Sequence, residues 1–283
     1  MNKEHVFLKA LLNRKNSKEY APFLSAPLSA SIQRAPTIEF QFDPFCLNLQ
    51  TLLKKKHYSW LLDTLNTLPQ KNLKLYLAAL DKTIRAKLMK HFKLEEVLPI
   101  ENPFLKKVLL TNLAKQTVDF SILPTEYLDK NPLLKLLDCT KEQLEYLFNF
   151  LGLYDLAKEL KEVVDKNILL KVRHTLSDKE NAFLDTLISQ KTLWSLPKIG
   201  LRTWVEEDVH RRLQKQGLTR CALALSGSQP DFIKHVCYKL DRGRGQFILK
   251  VVKEKPLIPA TKICQGELMS LLNVFEPNIH EVV

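Results

Sequence analysis

The segment TKEQLEYLFNFLGLYDLAKEL, residues 140–160, carries both a start signal and a buried face. Thr140 and Gln143 have the spacing of a capping box, in which each side chain satisfies a backbone amide that the first helical turn leaves open. Leu144, Leu147, Phe148, Leu151, Leu156 and Leu160 then line one broad face, which predicts a helix, or a helix broken near Gly152. Ser177 with Glu180 repeats the device ahead of Phe183, Leu184, Leu187 and Ile188.

Helical spacing extends from this segment in both directions. Toward the N-terminus, Leu73, Leu77, Leu80, Ile84 and Leu88 recur at three and four after Pro69, and Phe104 to Ala114 repeats the pattern more weakly. Leu49, Leu52, Leu53, Trp60, Leu61 and Leu65 suggest a further helix, interrupted by Lys54, Lys55, Lys56 and His57. Toward the C-terminus, Val209, Leu213, Leu218, Ala222 and Leu225 supply apolar faces. Ser228 reads as the cap, with Asp231 closing the box, of a helix carrying Ile233, Val236, Cys237 and Leu240, and Gly243 reads as its stop. The tail holds Pro256, Pro259 and Pro277 and predicts a turn or two of helix at 267–272. Four prolines between residues 21 and 45 disfavour helix there, while the alternation of residues 38–43 suits a short edge strand or a segment laying Phe40 and Phe42 on the helical body.

The fold expected is therefore mostly α, an irregular multi-helix domain with a proline-bearing N-terminal arm. Its divisions are an arm at 1–45, a helical domain at 46–255 that would split near 135 if it forms two subdomains, and a C-terminal extension at 256–283. Seven glycines in 283 residues are few for a phosphate-cradling α/β enzyme, which uses glycine where backbone approaches a ligand. Five widely spaced cysteines, Cys46, Cys139, Cys221, Cys237 and Cys264, form no CxxC pair and read as reduced thiols in a cytoplasmic compartment. Lys9 interrupts the apolar run Val6–Leu12, and no stretch has the length and apolarity of a signal peptide or membrane span.

Chemistry-bearing patterns are scarce. Neither GxxxxGK[ST] nor GxGxxG occurs, and the glycine cluster Asp241-Arg242-Gly243-Arg244-Gly245 reads as a helix stop with basic surface residues. His235 and Cys237 would point roughly 200° apart on a helix and so do not share an ion. Glu206, Glu207 and Asp208 read as the acidic approach to a helix start. No serine or cysteine is tied by spacing to a base, so neither catalytic residue, cofactor site nor metal site is read, and the chain is expected not to be an enzyme.

The formal charge of +12 suits an acidic protein, an anionic lipid or a nucleic acid. Lys54, Lys55, Lys56, Lys71, Lys74, Lys82, Arg85, Lys87 and Lys90 outweigh Asp63 and Asp81, a field that would hold phosphates without sequence preference. Lys239, Arg242 and Arg244 form a second basic group where a helix ends, and with Phe232 or Trp204 as apolar anchor they are candidate protein-binding residues. A basic helical nucleic-acid-binding protein is the alternative reading.

Four segments together resemble the sorting-platform adaptor family of type III secretion systems, the SctK or YscK family. They are FQFDPFCLNL at 40–49, FLGLYDLAKEL at 150–160, LPKIGLRTW at 196–204 and FIKHVCYKL at 232–240. The resemblance implies a mostly helical cytoplasmic adaptor of the injectisome, without active site or cofactor. It would join the pod protein of the sorting platform to the cytoplasmic domain of an inner-membrane ring protein. It would sit at the cytoplasmic face of the inner membrane through those partners, with no insertion of its own. The arm and the C-terminal extension make this chain longer than typical members.

Overall fold

A computed structural model describes residues 9, 24–34, 53, 55–95, 97–117, 122–123, 125–190, 196, 209–254 and 258–275. Among these the regular elements are all helical and no strand is present. The first half holds α1 (Ala26–Arg34), α2 (Leu62–Asn66), α3 (Gln70–Ala79), α4 (Lys82–Phe92) and α5 (Pro103–Thr117). The second holds α6 (Lys141–Leu160), α7 (Lys166–Thr175), α8 (Asp178–Ser189), α9 (Val209–Leu225), α10 (Pro230–Lys239), α11 (Arg242–Lys253) and α12 (Ile258–Phe275). Short 3-10 turns at Tyr58–Trp60, Thr125–Tyr127 and Pro132–Leu137 complete the order.

Buried apolar side chains form two groups that change over between Ala114 and Leu123. In the first, Leu61, Leu65, Leu77, Leu88 and Leu113 bring α2 to α5 around one small core. The larger second core is built on α6, which packs against α8, α9 and α12, while α9 also packs against α11 and α12. Both predicted capping boxes are formed. Thr140 Oγ1 accepts from the Gln143 amide at 3.2 Å while Gln143 Oε1 accepts from the Thr140 amide at 2.7 Å, and Ser177 and Glu180 pair in the same way at the start of α8.

Gly152 does not break α6. A Cβ at Gly152 would overlap the Leu213 backbone of α9, and one at Gly217 of α9 would overlap the Phe148 carbonyl of α6. Two glycines placed reciprocally therefore let the two central helices approach backbone to backbone, which a side chain on either would prevent.

Several expectations are corrected. Part of the proline-bearing arm is helical, because Pro27 sits in the first turn of α1, where its missing amide has no helical partner to lose. Gly243 does not end a run of helix. Leu240 caps α10, and Asp241 opens α11 by accepting from the Arg244 amide at 3.1 Å. Ser228 does not cap α10: Gln229 holds that position with no side-chain cap, and the Ser228 hydroxyl is buried without a hydrogen bond. The tail expected to hold a turn or two forms α12, whose Cys264, Leu268, Leu271 and Leu272 belong to the second core. The alternating residues 38–43 and Glu206 to Asp208 lie outside the described residues.

The two cores meet where the Tyr58–Trp60 turn lies against the junction of α10 and α11. Trp60 Nε1 donates to the Leu240 carbonyl at 2.9 Å, its ring stands edge-on to Tyr238 at 5.2 Å, and the His57 amide donates to the Tyr238 carbonyl at 2.8 Å. Gly245 makes room for the indole, since a Cβ there would lie 2.5 Å from Trp60 Cζ2. Ser59 Oγ accepts from the Arg242 amide at 2.8 Å, which makes the turn at Asp241 the seat of this junction.

Candidate functional site

Beside the junction lies a cleft of about 310 Å³ between the two halves. Lys55, Lys56 and His57 come from the segment before the Tyr58–Trp60 turn, Thr83, Ile84 and Lys87 from the first turns of α4, Cys139, Thr140 and Lys141 from the start of α6, and Lys239 from the end of α10. None of the described residues lining it is acidic. Two of its five lysines are anchored. The Lys56 ammonium donates to the Thr117 carbonyl and sits 3.9 Å from the Tyr238 ring centroid, and that of Lys239 donates to the Cys139 carbonyl at 2.5 Å. Lys55 and Lys87 are exposed, and Lys141 is 3.4 Å from Glu145 on the same helix.

The field of these ammonium groups is registered by their neighbours. Burial, followed by the charge of Lys141, holds the His57 imidazole down to about 4, with Lys87 acting in the same direction and Asp241 and Glu145 opposing. Burial lowers Lys239 as well. In the unfolded chain His57 titrates near its ordinary value of about 6.5. Between that value and about 4 the unfolded chain therefore takes up a proton that the folded chain refuses, and stability falls as pH drops through this window. Thermal melts from pH 7 to pH 4 should show a shallower loss for His57→Gln than for the parent chain. Identical pH profiles would contradict the assignment.

The residues singled out from the sequence are placed as follows. Phe232 is 2% exposed and lies in the second core, so it anchors the fold. Arg242 pairs with Asp63 across the junction, and Arg244 donates to Glu145 at 2.6 Å, to Asp241 at 2.8 Å and to Gln214 at 2.9 Å. Lys239 faces the cleft, and Trp204 lies outside the described residues. The structure thus joins Lys239 to Lys55, Lys56 and Lys87, which the sequence had placed in a separate basic field, and adds Lys141, which sequence reasoning had not selected. Lys141 carries no signal of its own beyond following a helix cap.

A second polar cluster lies in the second half, away from the cleft. Arg220 of α9 is fully buried. It donates Nε and Nη2 to Asp155 of α6 at 2.8 and 2.7 Å and Nη1 to Glu267 of α12, and Asp155 also accepts from the Leu196 amide at 2.7 Å. Burial opposes the charge on Arg220, but Asp155 and then Glu267 outweigh it and drive its pKa up, so the guanidinium stays charged. This network ties three helices of the second core to one another and faces no opening of the cleft. Cys221, Cys237 and Cys264 are buried, and burial pushes each thiol up, to about 12 for Cys237 and Cys264, which makes them inert packing residues. His235 turns away from Cys237 to pair with the Leu123 carbonyl at 2.7 Å, and no cluster of described residues has the makings of a metal site. No described helix is long and apolar enough to cross a membrane.

No protein-family profile matches the chain, and neither curated proteins nor solved structures provide a match.

Proposed function

We propose that this chain is a non-enzymatic adaptor of the type III secretion sorting platform, linking the pod protein to the inner-membrane ring at the cytoplasmic face of that membrane. The observation that carries a binding role is the outer side of α5. Phe104, 76% exposed, stands there with exposed Leu105 and Val108, while Leu109, Leu110, Leu113 and Ala114 of the same helix fill the first core. Three large apolar side chains exposed together on the first turns of a helix make a patch rather than scattered surface residues, and this end of α5 calls for a protein partner. Exposed Val164 and Leu170, around α7, offer a separate surface on the second half. The Trp60 junction supports the spacer role, because surfaces held in fixed relation avoid part of the ordering cost of association.

The test is binding of the full chain to the isolated pod protein and to the isolated cytoplasmic domain of the ring protein. Phe104→Asp with Val108→Asp should weaken one of the two by about thirtyfold or more, the loss of a hot-spot anchor, and leave the other unchanged. Unchanged affinity for both would remove α5 from the account. Binding of nucleic acid is the competing reading, favoured by exposed Lys71, Lys74, Lys82 and Lys90 on α3 and α4. It requires affinity for duplex DNA or RNA that falls steeply with salt and ignores sequence.

A further inference from the structure

We propose that the lysine-lined cleft between the two halves is a binding site for a small, multiply charged phosphate anion, which bridges them when bound. Four separate chain segments deliver Lys55, Lys56, Lys87, Lys141 and Lys239 to one concavity, and none of its described lining residues is acidic. Such convergence is unfavourable by itself, since like charges in a concave, partly desolvated space repel more strongly than on an open surface. A bound anion reverses the sign of that energy.

Size and geometry select the ligand class. At about 310 Å³ the cleft is at the lower end of small-molecule sites, roughly 300–1,000 Å³, which suits a group of diphosphate size and gives no room to a folded partner. Lysine ammoniums are compact charges with rotatable donors, suited to phosphate oxygens arriving from several directions, whereas no arginine fork lines the cleft to select a planar carboxylate. The anchored Lys56 and Lys239 are held in place before any ligand arrives, and exposed Lys55 and Lys87 are able to close over it. Because Lys87 belongs to the first half and Lys141 and Lys239 to the second, occupancy would stiffen the junction at Trp60 whichever proteins the chain joins.

Inorganic pyrophosphate is the probe, titrated into the full chain at 150 mM salt by calorimetry, with thermal melts alongside. Saturable binding at one site per chain is expected, with a melting temperature that rises with pyrophosphate concentration. Lys87→Glu with Lys141→Glu, checked by circular dichroism, should bind about tenfold more weakly or worse, the loss of at least one charge-assisted contact. Lys71→Glu with Lys74→Glu, away from the cleft, should bind like the parent chain. An independent reading is the His57 imidazole resonance, whose titration should move to higher pH when pyrophosphate is present. Vesicles bearing phosphoinositide headgroups distinguish the source of the phosphate. Capture by vesicles that pyrophosphate reverses identifies a lipid headgroup, and pyrophosphate binding without capture identifies a soluble anion; either supports the site. Equal loss of binding in both double variants, unsaturable binding, an unmoved His57, or duplex DNA binding without pyrophosphate binding would overturn it.

Discussion

Gly217→Ala should destabilise the protein by about 3 kcal/mol or more, at or beyond the top of the range for overpacked cores. The added methyl overlaps the carbonyl of Phe148, and a backbone group inside α6 has no rotamer through which to retreat, so the two central helices must separate. Their separation disturbs the contacts of Leu213, Leu218 and Cys221 with the rest of the second core. Gly152→Ala should act in the same way through Leu213. Since moving the helices apart for one methyl also makes room for the other, the double variant should lose less than the sum of the two. Gly266→Ala supplies the control. It lies in α12 with nothing near the new methyl and should gain about 0.5–1 kcal/mol from helix propensity alone. Urea unfolding of the four variants checks both signs. A gain at Gly217 would mean that α6 and α9 do not cross as closely as described.

Asp155→Ala should cost about 3–5 kcal/mol, the ordinary consequence of removing one partner from a buried ion pair. Arg220 would keep its charge, its burial and its contact to Glu267 but lose both of its contacts to Asp155, and the Leu196 amide would lose its acceptor. Replacing Asp155, Arg220 and Glu267 together with apolar residues of similar volume should be far milder, because it removes the desolvation cost along with the attraction. Denaturant unfolding separates the two cases. A single and a triple variant of equal instability would mean that the network acts through shape and not through charge.

Local and non-local signals explain what could be read in advance. The starts of α6 and α8 were legible because a capping box spans four residues and is followed directly by its own apolar stripe. The start of α11 was not, because Gly243 and Gly245 carry the signature of a helix stop. Gly245 is required by Trp60, far away in sequence, and that requirement is invisible locally. For α12, Pro256 before it and Pro259 in its first turn masked a helix whose buried side is completed by α6 and α9. The same distance hid the buried arginine: Arg220 stands next to Thr219 just before the apolar run 221–225, and only the fold brings it Asp155 and Glu267. The cleft was half legible. Its lysines stood out as charge, but charge patterning does not reveal concavity, and Arg242 and Arg244, equally prominent in the sequence, are occupied within the chain. Reversing Arg244, which has three partners within the chain, would consequently disturb the fold before it tested any interface.

An adaptor, as proposed, holds two proteins at once, which sedimentation velocity of the full chain mixed with the pod protein and the cytoplasmic domain of the ring protein reads directly. Two binary mixtures should each give a boundary faster than either component, and the three-component mixture should give one faster still that contains all three proteins. That boundary should persist when salt is raised if, as proposed, exposed Phe104 is an apolar anchor of the interface, since salt screens the lysines and leaves apolar contacts in place. Mutual displacement of the two partners, or no boundary with either while duplex DNA binds and is released by salt, would contradict the account.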